Sequence, residues 1–392
     1  MKIICDRSAL LSAVNLVSGA VAARTPRVQL QCIRLTASKV GGAGELTLAA
    51  TDAEIAIRLS LTQVDVQTTG DVLIPADRLR AIIAAEDNEP TLTLESENDA
   101  LHIRGADAHF KVLGYPAAEF PPIPDFASVV AGSAAQAKPK AVMTHPAGSL
   151  SQLVARTIFA TARENSRYAI NGVLLKRDGK RLEMVATDGR RLALARANLT
   201  GQDKDAKAVQ CIVPTKALAM LQKLINEHEE AVQIAITDTQ IYFSFGTAAS
   251  PGRALLASNL VEGNFPPYED VIPKDADKKV TFDRDVVSSA VRRAALLTNE
   301  DSRGVRLSFT SKTKQLKLSS RAPEMGEATV DVTLAGYDGE DLEIGFNPQF
   351  ITDALKVVAE PEVIMELKAS NKPGLIKAGN DFLYVVMPVN LS

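Results

Sequence analysis

Few residues of this chain combine a reactive side chain with a spacing that would let them work together. The four histidines, His102, His109, His145 and His228, have no metal-ligand spacing, and Cys5, Cys32 and Cys211 supply no Cys-x-x-Cys pair. No metal or other cofactor is expected. Thr187-Asp188-Gly189-Arg190-Arg191 places a carboxylate beside two guanidiniums, which could suggest a catalytic aspartate. The same residue types also build a turn in which Asp and Gly set the backbone, and that reading is the better one. His109, beside Phe110 in an alternating stretch, reads as a surface residue rather than a base. Gly41-Gly42-Ala43-Gly44 lies between strand-like runs and reads as a hairpin turn, not a phosphate loop. A non-catalytic protein is expected, although a catalytic group assembled from distant residues stays open at this level.

The 392 residues suffice for two to four domains, and 46% hydrophobic with 23% charged residues is ordinary globular composition. An odd number of widely spaced cysteines argues against a disulfide framework and for a reducing cytoplasm. Asp6 and Arg7 interrupt any apolar signal segment, and no apolar run is long enough to span a bilayer. The formal net charge is −3, yet residues 141–273 carry 15 Lys and Arg against 13 Asp and Glu, so only the middle third is positive.

Positioning elements recur three times. Asp6-Arg7-Ser8-Ala9-Leu10, His145-Pro146-Ala147-Gly148-Ser149-Leu150 and Asp283-Arg284-Asp285-Val286 each open an amphipathic helix. The apolar stripes are Leu10/Val14/Val17/Val21, Leu150/Val154/Thr157/Ile158 and Val287/Ala290/Val291/Ala294. A strand, a proline and a second helix follow at Pro75, Pro214 and Pro348, with each proline expected in the first helical turn. Ala50-Thr51-Asp52 matches Ala186-Thr187-Asp188, with Ser319-Ser320-Arg321 in the third copy. Glu119-Phe120-Pro121-Pro122 matches Asn264-Phe265-Pro266-Pro267. Short alternating runs between the helices read as antiparallel strands with one buried face.

Each repeat therefore carries two helices and roughly eight strands, an α+β domain of helices packed on antiparallel sheets. The domains are expected at 1–130, 141–273 and 274–392, with the flexible stretch 131–140 as the best linker.

With that frame, the chain resembles the beta subunit of bacterial DNA polymerase III, the sliding clamp, over its whole length. The resemblance rests on Ser166-Arg167-Tyr168-Ala169-Ile170-Asn171-Gly172, on 185–193, on Ser302-Arg303-Gly304-Val305-Arg306-Leu307, on Asn264-Phe265-Pro266-Pro267-Tyr268, and on the terminal Tyr384-Val385-Val386-Met387-Pro388-Val389. It implies a head-to-tail homodimer that closes a six-domain ring around duplex DNA, without sequence readout, in the cytoplasm at the nucleoid and off the membrane. Implied partners are the polymerase III alpha subunit, the clamp loader, and other polymerases and repair proteins that carry clamp-binding motifs.

By the same resemblance, a peptide pocket is expected at Ile170, Thr187, Gly189, Arg191, Leu192, Pro266, Val271, Val385, Met387, Pro388 and Val389. Read from the residues alone, Ile170, Leu192 and Val385 would be plain core. DNA contacts are expected from Arg24, Arg167 and Tyr168, and by placement on inner helices from Arg78, Arg163 and Lys216. Phe110, Val112, Leu296 and Leu297 are expected at the dimer interface; Leu297 fits the third helix stripe less well than Leu296 or Thr298 would. Departures from the family pattern at Asp270, Asn390 and Ser392 bear on peptide preference, and Asp77 and Glu164 make the inner surface less positive. Two other readings stay open: a catalytic oligomer with its site assembled between repeats, and a clamp-like scaffold that has lost DNA.

Overall fold

The structure, a computed structural model, describes residues 1–62, 64–132, 138–162, 168–199, 208–225, 231–246, 253–298 and 304–390. Contacts divide the chain into two compact units. One is Met1–Ser151 with Lys216–Leu260; the other is Gln152–Thr215 with Val261–Ser392. The middle repeat is thus split between them.

Seven α-helices occur among the described residues: α1 (Arg7–Val17), α2 (Ala76–Ala85), α3 (Phe126–Ala131), α4 (Ala147–Ala155), α5 (Thr215–Ile225), α6 (Arg284–Ala294) and α7 (Pro348–Lys356). Six are the expected pairs. Asp6 caps α1 by accepting from the Ala9 amide at 2.7 Å, and Asp283 caps α6 through the amides of Asp285 and Val286. The stripes of α1 and α6 are buried as expected at Leu10, Val14, Val17, Val287, Ala290, Val291 and Ala294. Val21 lies beyond α1 and the 3-10 turn that follows it. Thr157 lies beyond α4, where its buried hydroxyl donates to the Leu153 carbonyl at 2.8 Å. Pro348 occupies the first turn of α7, but Pro75 and Pro214 end the strands Gly70–Pro75 and Val209–Pro214. There the proline ends an edge strand, where the missing N–H costs no ladder bond, and the helix begins at the next residue. Helix α3 was not expected from the sequence. It buries Phe126 and Val129 against Ala235, Tyr242, Leu255 and Ala257, and stops at Gly132 in the left-handed region. Residues 133–137 of the expected linker lie outside the described residues.

In the first unit, a five-stranded sheet comes from the first repeat alone, with His109–Leu113 at its edge. An eight-stranded sheet combines four strands of the first repeat with four of the second. The seam is antiparallel pairing of Ile55–Leu61 with Ala254–Asn259. In the second unit, a nine-stranded sheet joins four strands of the second repeat to five of the third, with Arg191–Asn198 paired to Phe382–Val386. A four-stranded sheet from the third repeat ends at the edge strand Gly326–Thr333. Both seams follow one rule. The strand after the Ala-Thr-Asp landmark of one repeat pairs with the last strand of the next.

Gly41 and Gly42 form the two-residue hairpin expected there, both with positive φ, between Val40 and its cross-strand partner Ala43. No helix is long and apolar enough to cross a membrane, and no cluster of three or more potential ligands could hold a metal ion, both among the described residues.

His145 is fully buried near the end of the strand Ala141–Pro146, two residues before α4. Its Nε2 lies 2.9 Å from the Ser149 hydroxyl, while Nδ1 has no partner among the described residues. Burial lowers its pKa. The unfolded chain then takes up a proton below about pH 6.5 that the folded chain refuses. Stability is complete above that pH and falls as pH drops toward the depressed folded value. We expect the urea midpoint to fall between about pH 6.5 and pH 5, and His145→Asn to flatten that slope by up to about 1.4 kcal/mol per pH unit. An equal slope in the variant would remove His145 as the cause.

Candidate interaction sites

The Ala-Thr-Asp landmark is a turn built twice. In the second repeat, the Thr187 hydroxyl donates to the Arg191 carbonyl at 2.7 Å and accepts from the Gly189 amide at 3.1 Å. Asp188 Oδ1 accepts from the amides of Arg190 and Arg191 at 2.9 and 3.0 Å. The first repeat repeats these bonds with Thr51, Asp52, Ile55, Ala53 and Glu54. Gly189 and Ala53 both take positive φ, +85° and +76°, so the turn imposes that conformation even where glycine is absent. Asp188 is a structural acceptor, as the turn reading holds. Its second oxygen accepts from Arg191 Nε at 3.0 Å.

Arg191 and Leu192 point to opposite faces of the nine-stranded sheet, because side chains alternate along a strand. The Arg191 guanidinium lies 4.4 Å from the Phe350 ring centre and 5.4 Å from that of Phe159. It also donates to Asp353 and to the Phe159 carbonyl, each at 2.7 Å. That arrangement fastens the second repeat to the third and leaves the guanidinium engaged on the face away from Leu192.

On Leu192's face the candidate residues form a graded surface. Leu192 and Val385 are direct cross-strand partners, both buried, in a cluster with Leu194, Tyr268 and Leu375. Ala169 packs in that cluster rather than its neighbour Ile170, although Ile170 and Thr187 are also buried. Gly189 is exposed, Pro266, Pro388 and Val389 are half-buried, and Val271 and Met387 are 51% and 43% exposed. The Met387 amide donates to the Arg190 carbonyl and the Val389 amide to that of Gly345, each at 2.9 Å, so the tail crosses from the Asp188 turn to the third repeat. Met387, Pro388, Val389 and Asn390 line a cleft of about 630 Å³ with Arg306, Glu343 and Asn371. Buried apolar floor beside exposed, adaptable Met and Val is the chemistry of a groove for a short linear peptide.

Models of the DNA polymerase III beta subunit match the chain in three successive pieces: the N-terminal domain at residues 1–124, the central domain at 145–267 and the C-terminal domain at 269–390. The chain belongs to this beta-subunit family. Its relatives include the beta sliding clamp of Pseudomonas aeruginosa, 33% identical over 98% of this chain and 99% of the relative. That of Escherichia coli K12 is 31% identical over the full length of both. Among solved structures, the Pseudomonas aeruginosa sliding clamp bound to griselimycin superposes with a TM-score of 0.87 at 31% identity. The Bacillus subtilis clamp gives 0.86 at 26%; each comparison covers all of both chains.

The helices of this beta-subunit family member carry nine Lys or Arg against three Asp, whereas the whole chain is at −3. Arg78 on α2 and Lys216 on α5 are exposed, and Lys216 pairs with Asp52 of the first repeat's turn. Arg24 is exposed in an irregular segment after α1, and Tyr168 is partly exposed. Arg163 and Arg167 lie outside the described residues, as does Glu164. Sequence reasoning passed over Arg80, Lys223, Arg292, Arg293 and Lys356, all exposed on helices. The heptad spacing of Lys216 and Lys223 on one helix face was the available signal.

The interface candidates lie at edges. Val112 is buried in its own repeat and Phe110 half-buried, so Leu113, 67% exposed, is the large apolar side chain that the edge strand offers. On the same strand His109 is exposed and stacks on His102, with nitrogens 2.9 Å apart, in keeping with a surface role. Leu296 is 73% exposed in the 3-10 turn Ala295–Leu297, which packs against the other edge strand, Gly326–Thr333; Leu297 is half-buried. Leu113 and Tyr268 are further candidates that sequence reasoning did not single out.

Proposed function

We propose that two copies of this chain join head to tail, close around duplex DNA, and slide along it as a processivity clamp. The observation that carries this reading is the seam rule. Within the chain, the strand after the Ala-Thr-Asp landmark pairs with the last strand of the next repeat, twice. The third repeat's counterpart, Gly326–Thr333, and the first repeat's counterpart, His109–Leu113, are both sheet edges. Joining them between copies gives a four-plus-five-stranded sheet, the same composition as the seam in the second unit. The contact is heterologous, and two of them close a ring. It also covers edges that would otherwise invite aggregation.

Repeats 1–130, 141–273 and 274–392 are then the three clamp domains. Arg24, Arg78, Arg163, Arg167, Tyr168 and Lys216 face phosphates, joined by the other basic helix residues. The contacts are weak and replaceable, because sliding forbids a deep well at any position along the duplex. The groove at Leu192, Val385, Met387, Pro266 and Val271 takes the clamp-binding peptides of the polymerase III alpha subunit, the clamp loader, and other polymerases and repair proteins. The chain supplies no catalysis of its own and works in the cytoplasm, on the nucleoid.

The test is retention on DNA. Each phosphate neutralised adds about −0.9 to the log–log salt slope, so binding to open-ended DNA should collapse as salt is raised. Clamps loaded on a closed circle should survive that salt and run off when the circle is cut. Retention on the linear product at high salt would mean a chemical grip and end the topological reading.

A further inference from the structure

Residues 261–272 form one wall of the candidate groove, yet they contain only one three-residue turn, Glu269–Val271. At the start, the Val261 amide donates to the Ile212 carbonyl at 2.9 Å, and the Ala169 amide donates to the Asn264 carbonyl at 3.2 Å. Farther along, the segment is held by one buried side-chain bond: the Tyr268 hydroxyl donates to Glu183 Oε1 at 2.5 Å. The other carboxylate oxygen accepts from Arg196 Nε at 2.8 Å. Phe265 stands edge-on to the Tyr268 ring at 6.2 Å. The Val271 amide bonds the Tyr268 carbonyl at 3.2 Å. Tyr268 thus lies two residues after Pro266 and three before Val271, the two groove residues on this segment.

Glu183 is an expensive way to hold a fold. It is a buried carboxylate whose cross-strand partners are Lys176 and Arg196, with Arg181 and Val185 beside it on its own strand, so its desolvation is offset only by the cations and the phenol that meet it there. Burial pushes the carboxyl up, but hydrogen bonds from Arg196 and Tyr268 outweigh that and hold it below the usual range. Burial and the Glu183 bond push the Tyr268 phenol up. At neutral pH one group is therefore always the donor and the other always the acceptor. A cavity of about 180 Å³, lined among others by Lys176, Arg181, Arg196 and Ile272, adjoins the pair, so the ring has somewhere to go if the bond is lost.

We infer that Tyr268, latched to Glu183, is a positioning residue that sets Pro266 and Val271 at the spacing a bound peptide needs. The inference rests on the peptide-groove reading above. It assigns Tyr268 no contact with the peptide; its effect passes through the wall.

The experiment uses the full chain and a fluorescent peptide carrying a clamp-binding motif, with dissociation constants measured by anisotropy and dimer mass by sedimentation. Tyr268→Phe removes one hydroxyl and keeps the ring. It should weaken the peptide about tenfold, with dimer mass unchanged. Val271→Ala supplies the readout that a general loss of structure would not give. If Tyr268 acts through Val271, the two losses are not additive, and Tyr268→Phe adds less than about twofold in the Val271→Ala background. Full additivity, or a Tyr268→Phe chain that binds as the wild type does, overturns the latch and leaves the groove standing. A wild-type chain that captures no peptide overturns the groove, and the latch with it.

Discussion

Glu360→Ala should destabilise the second unit by as much as truncating a buried aliphatic side chain does. Arg156, one residue beyond α4, has a side chain only 5% exposed. One of its terminal nitrogens donates to both carboxylate oxygens of Glu360, each at 3.0 Å, and the guanidinium lies 5.5 Å from the Phe382 ring centre. Its Nε is buried without a partner among the described residues. Removing the carboxylate therefore strands a desolvated cation that has little else to turn to. Breaking a buried pair in this way costs about 3–5 kcal/mol. Glu360 is about a third exposed, which lets solvent replace part of it, so we expect about 2–3 kcal/mol. For a unit of this size that lowers the unfolding temperature of its transition by about 5–10 °C. Replacing both partners by apolar residues, Arg156→Met with Glu360→Leu, should restore most of the loss, because no charge is then left behind.

Acid acts on the same pair. Burial raises the Glu360 carboxyl, but its own backbone amide and Arg156 outweigh that and hold it below the ordinary range. Its contribution is complete above the unfolded value near pH 4.3 and is lost as pH falls through the depressed folded value. A Glu360→Ala chain that unfolds within about 0.5 kcal/mol of wild type would show that the pair is bridged well enough by solvent to be dispensable.

The sequence was informative wherever the information is local. The stripes and caps of α1 and α6, the Gly41-Gly42 hairpin and the Thr-Asp turn each depend on residues a few positions apart and fold as read, whereas the expected stripe ends Val21, Thr157 and Ile158 lie past α1 and α4. The threefold repeat was legible because it recurs at nearly one period. What was hidden depends on partners distant in sequence. Nothing local in Ile55–Leu61 says that its neighbour is Ala254–Asn259, nearly two hundred residues on. Helix α3 is too short to show a period, and it forms because Tyr242 and Leu255 offer Phe126 a surface. Arg191 stood in the peptide set because the family pattern puts it there. Only the alternation of its strand and the rings of Phe159 and Phe350 reveal that its guanidinium is occupied on the other face. Tyr268 was visible within the Phe-Pro-Pro-Tyr landmark, but its partner Glu183 lies 85 residues away.

Leu296→Ala with Leu297→Ala should turn the proposed dimer into folded monomers at concentrations where the wild type stays paired. Each repeat places a 3-10 turn after its first helix: Ser18–Ala20, Ile158–Ala160 and Ala295–Leu297. At the two seams within the chain, the middle residue of that turn meets the next repeat. Gly19 lies under Met220, where an added Cβ would come within 3.5 Å of the methionine side chain. Phe159 packs its ring against Tyr384 at 5.8 Å. Among the described residues no further repeat packs on the third turn, and its middle residue, Leu296, is left 73% exposed. By the same rule its counterpart is the first repeat of a second copy. Burying one leucine contributes about 2 kcal/mol. A closed ring uses the contact twice, so losing Leu296 alone costs about 4 kcal/mol, close to a thousandfold in the dimer dissociation constant. Leu297 is already half-buried in its own chain and should add less. Sedimentation across a dilution series reads the shift, and circular dichroism checks that the monomer keeps its strands. A double variant that stays dimeric at nanomolar concentration would place the contact elsewhere. A variant that loses its fold with its partner would mean that these leucines belong to the third repeat's core.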